Sequence, residues 1–146
     1  MYHVTGKGVA GLSLFKDDED RRLFLWLLRS AMTRYGLGSL AHCLMGTHYH
    51  LVAQGRREDL SEAMRYLNGS YARCFNERHS RRGHVFADRF AAYVIRDERH
   101  LEEAVRYIAA NPVIAGLCQS SEDWPWTWIA GADSETPPLR WLQGQS

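Results

Sequence analysis

The sequence predicts an α+β fold in which strands and helices alternate along one domain. Short runs rich in β-branched and aromatic residues alternate with longer stretches whose apolar residues have helical spacing. Turn-forming and charged residues mark the ends of these segments. A length of 146 residues fits one domain with a real core. We expect this domain to span residues 1–130, followed by a C-terminal tail over residues 131–146 in which Pro137-Pro138 marks a loose end.

The first part of the chain predicts a strand followed by a helix. Tyr2–Lys7 has the β-branched and aromatic content of a strand. Asp17 and Asp18 supply N-cap chemistry for a helix, and the carboxylates of the next turn suit the helix dipole. The residues that follow recur at helical spacing: Leu23, Trp26, Leu27, Ser30, Ala31 and Tyr35.

Two strands and a second helix are predicted next. Ser39–Met45 and His48–Gln54 are strands joined by a short hairpin turn at Gly46-Thr47. Ser61 is the expected N-cap of the second helix. The apolar face of this helix consists of Met64, Leu67, Tyr71 and Phe75.

The remaining elements complete two β-α-β units. Phe90–Ile95 is a fourth strand, and a third helix runs from about Asp97 to Asn111. We expect Pro112 to end it, because a proline disfavours helical geometry at the preceding residue. The order β-α-β-β-α-β plus a helix is that of a ferredoxin-like antiparallel sheet, which carries both helices on one face. The other face is then open to carry a site.

Composition excludes several classes of protein. With 45% hydrophobic residues, 24% charged residues and a net charge of +1, the chain has no global field, so any nucleic-acid site must be a local basic patch. The three cysteines form no CxxC pair, which favours a reducing, cytoplasmic compartment. We expect no signal peptide, and the apolar stretch Leu23–Leu28 is too short to span a membrane.

His48 and His50 form the first candidate site. Side chains alternate along a strand, so the two imidazoles lie on the same face, about 7 Å apart, with Tyr49 on the other. Such a pair can bind one divalent cation. The alternative is a chance His-x-His decoration of a strand. Zinc is less favoured, because no paired cysteine spacing completes a tetrahedral site.

Tyr107 and Asn111 form the second candidate site. They are four residues apart on a helix, so they share one face about 6 Å apart along the axis. A phenol beside an amide oxygen suits a nucleophile beside a third metal ligand. Alternatively, Tyr107 packs in the core and Asn111 caps the helix before Pro112.

The third feature is the basic stretch Tyr71–Arg89, in which Phe75 and Phe86 interleave with the cations. Arginines for phosphates beside aromatic rings for bases suit single-stranded DNA. Alternatively, the stretch is a solvated helix end that complements the dipole. The candidate DNA contacts are Arg73, Arg78, Arg81, Arg82 and Arg89.

Together these segments resemble the single-tyrosine HUH (His-hydrophobic-His) transposases, and most closely the REP-associated tyrosine transposases. The resemblance covers roughly residues 2–128. The matching segments, in family order, are YHVTGKG, LFKDDEDRRLFLWLL, HCLMGTHYHLV, LNGSYARCFNERHSRRGHVFADRF, RYIAANPVIAGL and the Trp124-Pro-Trp126 tail. The chain has Gly46-Thr47 where members commonly show Pro-Asn before the histidine pair.

The resemblance implies the roles of the site residues. His48 and His50 would be metal ligands, Tyr107 the catalytic tyrosine, and Asn111 the polar residue completing the metal shell. It implies a metal-dependent endonuclease and transposase that cuts single-stranded or hairpin DNA and leaves a 5′-phosphotyrosine. An amide oxygen together with phosphate oxygens suits Mg²⁺ or Mn²⁺. Both a monomer and a homodimer stay open, since related enzymes can combine tyrosine and histidines from different subunits.

Two other functions are compatible with the sequence. The first is an inactive or domesticated nucleic-acid-binding module of the same fold, although a pure binder has no need of His48, His50 and Tyr107. The second is a hydrolase of small phosphoesters in which Tyr107 is only structural, which would leave the basic stretch idle. We expect the tryptophans near the C-terminal end to pack against the sheet rather than stack on bases; these are Trp124, Trp126, Trp128 and Trp141.

Overall fold

The structure is a computed structural model that describes residues 1–131, so the predicted tail lies outside it from residue 132 onward. Short 3-10 turns occur at Val9–Gly11 and Ser121–Asp123. The helices and strands, in chain order, are β1 (Tyr2–Lys7), α1 (Asp18–Arg34), β2 (Gly38–Leu44), β3 (His48–Gln54), α2 (Arg57–Arg78), β4 (Ala91–Val94), α3 (Glu98–Ile114) and β5 (Thr127–Ile129).

The strands form one antiparallel sheet in the order β4-β1-β3-β2-β5. The first four follow the ferredoxin-like order, so the predicted α+β fold is confirmed. Strand β5 was not predicted. Its three residues are too few to show a period of two, and they pair with Ala41–Cys43 of β2. In the central pair, Thr5 of β1 lies opposite His50 of β3, and Lys7 lies opposite His48.

The two faces of the sheet carry separate apolar clusters. On one face α1 and α2 pack over Val4, Tyr49 and Leu51. On the other face α3 packs through Val105 and Ile108 over a smaller cluster made by the sheet. That smaller cluster includes Ala41, Cys43, Met45 and Val52. The sheet face left free by the first two helices is therefore the face on which α3 lies.

Helix α1 begins as predicted. The carboxylate of Asp17 accepts a hydrogen bond from the backbone N–H of Asp20 at 3.0 Å, which is the geometry of an N-cap. Trp26 has the predicted helical spacing but does not face the core, since this side chain is 64% exposed. The buried stripe instead runs through Phe24, Leu27 and its neighbours, about a quarter-turn away.

Helices α2 and α3 are longer than predicted. Helix α2 begins at Arg57, so Ser61 lies within the helix and does not cap it. Its apolar stripe starts at the buried Leu60, and acidic residues in the first turn favour an early start. Helix α3 continues through Pro112, which is buried, and ends where Gly116 adopts a φ of 75°. Backbone hydrogen bonds from Gly116 and Leu117 to the last turn give a Schellman motif there.

Three of the four C-terminal tryptophans pack against the sheet, as predicted, and the fourth, Trp141, lies outside the described residues. Trp124 donates its indole N–H to the backbone oxygen of Leu44 at 3.0 Å, and Trp126 packs on the larger cluster. Trp128 on β5 stacks against His42. Within residues 1–131, no helix is long and apolar enough to cross a lipid bilayer.

Candidate active site

The histidine pair lies on the sheet face covered by α3. His48 and His50 alternate with Tyr49 and Leu51, both of which point into the cluster under α1 and α2. The imidazole centroids of the two histidines are 5.1 Å apart, and the rings are perpendicular. The predicted same-face arrangement is therefore present, and the rings are close enough to approach one ion.

Strand β3 is anchored from the opposite face by Tyr49. This side chain is fully buried, and its hydroxyl donates to the side-chain oxygen of Asn68 on α2 at 2.9 Å. Its ring lies so close to β1 that a Cβ added at Gly6 would be 2.5 Å from Tyr49 Cε1. Glycine at this position lets β1 and β3 pair beside the Tyr49 ring. The backbone of β3, which carries His48 and His50 on the opposite face of the sheet, is thereby held in place.

Helix α3 brings Tyr107 and Asn111 to the histidine pair. The Tyr107 side chain is 53% exposed, so the alternative in which it packs in the core does not hold. Its ring stands edge-on to the ring of His50, with centroids 5.5 Å apart. Asn111 donates its side-chain N–H to the backbone oxygen of Tyr107 at 2.9 Å and is hydrogen-bonded to His48. One chain thus places the phenol, the amide and both imidazoles together.

The histidines of this face are held neutral at neutral pH. Burial, followed by the neighbouring charges of His3, His48 and Lys7, lowers the pKa of His50 to about 3. Burial and then Lys7 also lower the pKa of His48, although its hydrogen bond with Asn111 opposes this. Neutral imidazole is the form that binds a metal, so the site needs no deprotonation before a cation enters.

A third histidine, His3 on β1, was missed by the sequence reasoning. Its Nε2 lies 3.0 Å from Nδ1 of His50, and the two ring centroids are 5.2 Å apart. Its ring is also 6.0 Å from that of Tyr107. The only sequence signal was its position on the first predicted strand. The pairing of β1 with β3, which brings His3 beside His50, cannot be predicted from a single sequence.

An open cleft of about 820 Å³ lies beside these residues. Its walls include His3, His50 and Tyr107, and the cations Lys7 and Arg96 lie along it. Neither cation was predicted as a contact, because both lie outside the arginine-rich stretch. The cleft gives an anionic ligand access to the exposed hydroxyl of Tyr107 and the buried imidazole of His50.

The candidate metal ligands are two imidazoles and one amide. Within residues 1–131, no group of three or more His, Cys, Asp or Glu side chains is arranged to hold a metal ion. His48 and His50 offer imidazole nitrogens, and Asn111, whose amide is hydrogen-bonded to the backbone of Tyr107 and to His48, offers an amide oxygen. This donor set fits a divalent cation that keeps open positions for phosphate oxygens or water.

The predicted DNA-contacting arginines fall into separate settings. Arg81 donates to the side-chain oxygen of Asn76 and the backbone oxygen of Gly83, so it shapes the turn after α2. Arg73 is exposed near Ser70, and Arg82 is exposed on the turn. Arg89 lies in an open groove of about 800 Å³ between α2 and residues 83–90. The groove also contains Arg65, Phe86 and Phe90.

Arg78 forms ion pairs with carboxylates of the protein itself. Its guanidinium contacts Asp17 at 2.7 Å, Glu19 at 2.8 Å and Asp20 at 2.7 Å. Asp20 is fully buried and is also contacted by His79 at 2.8 Å. This network ties the C-terminus of α2 to the N-terminus of α1.

Replacing Arg78 by alanine is therefore expected to lower thermal stability by several degrees, because it leaves the buried carboxylate of Asp20 with one fewer partner. Thermal unfolding followed by circular dichroism measures this. Arg82→Ala removes the same charge from an exposed position and is the matched control. Equal melting temperatures for the two variants would contradict a structural role for Arg78.

The same network makes the stability of the folded state depend on pH in the acidic range. The hydrogen bond from Arg78, and then the backbone N–H of Asp20, lower the pKa of Asp17 from its ordinary value of 3.8 to about 2. A carboxyl whose pKa is lower in the folded state stabilises the fold above its unfolded pKa, and this contribution is lost as the pH falls from about 4 to about 2. Arg78→Ala should flatten the stability profile in this window.

The comparisons with known proteins agree with the fold. The sequence profile of the family described as "Transposase IS200 like" matches residues 9–111 of the 146. The chain therefore belongs to the IS200-like transposase family, which confirms the class predicted from its motifs.

Particular relatives are more narrowly described. A Haemophilus influenzae protein, provisionally named a REP-associated tyrosine transposase, is 29% identical over 104 residues, which cover 64% of this chain and 59% of that protein. The chain thus matches less than two thirds of this relative's length.

Two solved structures share the fold. A REP-associated tyrosine transposase bound to a REP hairpin has a TM-score of 0.73 and 15% identity, covering 95% of this chain and 90% of that one. A Deinococcus radiodurans protein, provisionally described as a transposase, has a TM-score of 0.51 and 19% identity, covering 73% and 86%.

Proposed function

We propose that this chain is a metal-dependent endonuclease and transposase that cuts and rejoins single-stranded DNA through Tyr107. The observation that carries the proposal is the convergence of Tyr107 and Asn111 on His48 and His50 within one chain. The family supports the class of reaction. An inactive binding module would need only the cationic surfaces, and it would give no reason for an exposed phenol beside two neutral imidazoles.

The proposed reaction at Tyr107 is the transfer of a phosphoryl group from a 3′-oxygen of the DNA to the phenol oxygen. The phenol oxygen forms a bond to the scissile phosphorus while the bond from that phosphorus to the 3′-oxygen breaks. The phenol proton is lost and the leaving 3′-oxygen gains one, so the products are a 5′-phosphotyrosine and a 3′-hydroxyl. Because the phosphotyrosine ester keeps the energy of the broken phosphodiester bond, rejoining to another 3′-hydroxyl needs no nucleotide cofactor.

A divalent cation at the histidine pair would hold the phosphate in place for this attack. His48, His50 and Asn111 are the residues that would bind a divalent cation, Mg²⁺ or Mn²⁺, which polarises a non-bridging phosphate oxygen when bound. The hydrogen bond between Asn111 and the backbone of Tyr107 keeps the amide and the nucleophile on one rigid helical turn. Lys7 and Arg96 add positive charge along the cleft through which the strand enters.

The substrate we propose is a hairpin with single-stranded flanks. A REP hairpin is bound by the structural neighbour, and we extend that class of DNA to this chain. The segment that lines the arginine groove is hydrogen-bonded to the end of β1, where Ala87 donates to Lys7. It then continues into β4, whose residues line the cleft. The groove and the cleft are therefore joined by one continuous segment of chain at this edge of the sheet.

The test is a covalent-adduct assay. Labelled single-stranded DNA carrying a hairpin is incubated with the protein and Mn²⁺, with a chelator control, and the products are separated under denaturing conditions. The proposal predicts a metal-dependent protein–DNA band and a fragment with a 3′-hydroxyl. DNA binding without any adduct, across Mg²⁺ and Mn²⁺ and several hairpin sequences, would favour the binding module instead.

Replacing Arg89 by alanine is expected to weaken binding of hairpin DNA with single-stranded flanks about three- to tenfold and to reduce the salt dependence by about one charge, because it removes one phosphate contact. Fluorescence anisotropy at several salt concentrations measures both. Arg29→Ala, an exposed arginine of α1 beside Trp128 near the opposite sheet edge, is the matched control. An equal loss of DNA affinity in the two variants would show that the groove does not contact the DNA.

A further inference from the structure

His3 and His50 form an unusual contact between two imidazoles. Nε2 of His3 and Nδ1 of His50 are 3.0 Å apart, a hydrogen-bonding distance. Two lone pairs or two N–H groups facing each other at this distance would repel, so a single proton lies between the two nitrogens. The contact is therefore an N–H···N hydrogen bond in which one ring donates and the other accepts.

The direction of this hydrogen bond decides whether His50 can bind a cation. A neutral imidazole carries one N–H, and the other nitrogen keeps a lone pair. If His50 donates from Nδ1, its Nε2 lone pair is available to a metal. If His50 accepts at Nδ1, its proton is on Nε2 and that nitrogen cannot bind. Metal-binding histidines generally donate their second ring N–H to a fixed acceptor.

We propose that His3 is a positioning residue that accepts the Nδ1–H of His50 and so holds His50 in the tautomer that presents Nε2 to the metal. The inference rests on the proposed function of His48 and His50 as metal ligands. His3 itself is not a ligand, because the nitrogen facing the pair is engaged with His50. Its own proton is then on Nδ1.

The location of His3 suits this role. It lies on β1, the strand paired directly with β3, and β1 is itself flanked by β4, so its backbone is fixed on both sides. Its ring contacts those of His50, Tyr93 and Tyr107. The acceptor is therefore placed by the sheet and not by a mobile loop.

The first arm of the test reads the tautomers without metal. Long-range ¹H–¹⁵N correlation spectra of the metal-free protein distinguish a protonated Nδ1 from a protonated Nε2 in each histidine. The inference predicts Nδ1–H for both His50 and His3. A His50 proton on Nε2 in the wild-type protein would overturn it.

The second arm measures Mn²⁺ affinity by electron paramagnetic resonance, in the absence of DNA. His3→Phe keeps a ring but removes the acceptor, and it should weaken Mn²⁺ binding by about tenfold or more. His3→Gln restores an acceptor oxygen and should bind within about threefold of wild type. A residue needed only for packing would give the reverse order. Tyr93→Phe, which removes a polar atom from a neighbouring ring, is the matched control and should not change the affinity.

The two proposals can fail separately. If wild type binds Mn²⁺, His48→Ala does not, and His3→Phe binds as wild type, the role of His3 is wrong while the metal site stands. If wild type binds no Mn²⁺ or Mg²⁺, the metal site fails and the inference fails with it. Circular dichroism melting of each variant shows whether a loss of binding reflects a loss of folding.

Discussion

Replacing Tyr107 by phenylalanine is expected to abolish the covalent protein–DNA adduct and to lower cleavage at least about a thousandfold, because the variant has no nucleophilic oxygen. Binding of hairpin DNA should be unchanged, because the side chain is 53% exposed and its hydroxyl is not needed for folding. The adduct is measured on denaturing gels, and mass spectrometry of the wild-type adduct should locate the nucleotide on Tyr107.

Tyr35→Phe is the matched control for this prediction. Tyr35 lies at the end of α1, where its ring is close to that of Tyr66. It packs against the cluster on the face of the sheet opposite the histidine pair. The control should form the adduct at the wild-type rate. Cleavage by Tyr107→Phe at a rate near that of wild type would support the hydrolase alternative, in which the phenol is only structural.

Replacing His48 by alanine is expected to lower Mn²⁺-dependent cleavage at least about a hundredfold, since a lost ligand removes part of the several kcal/mol of charge stabilisation that a cation supplies. His48 is the better site for this change than His50, which is only 5% exposed and is hydrogen-bonded to His3. Cleavage as a function of Mn²⁺ concentration should show a large shift in the midpoint, a lower plateau, or both.

His42→Gln is the matched control for the loss of an imidazole. His42 lies on β2 and stacks on Trp128, away from the site. It should leave the Mn²⁺ dependence unchanged. If His48→Ala cleaves with the wild-type midpoint and plateau, the histidine pair does not hold the metal, and the proposed chemistry would have to be abandoned.

Much of the fold could be predicted because local signals agreed with tertiary packing. The strand His48–Gln54 has the predicted bounds, and the Asp17 cap forms the predicted hydrogen bond. The His48–His50 pair could be found because side-chain alternation on a strand is a local property. Tyr107 and Asn111 could be found because four residues make about one helical turn.

Other features depended on contacts that a single sequence does not show. Pro112 was expected to end α3, but its burial and the Gly116 cap carry the helix one turn further. His3 and Lys7 gain their place from the pairing of β1 with β3. The ion pairs of Arg78 join α2 to α1 across a separation of 61 residues, so composition alone could not distinguish this arginine from its neighbours.

The central claim is that one chain supplies both the nucleophile and the metal ligands, and a mixing experiment tests it most directly. Tyr107→Phe is combined in equal amounts with a His48→Ala, His50→Ala double variant, and adduct formation on hairpin DNA with Mn²⁺ is compared with that of wild type. We predict an adduct with wild type and none with the mixture. An adduct on the histidine-deficient chain in the mixture would show that tyrosine and histidines act from different subunits, and would contradict the site described here.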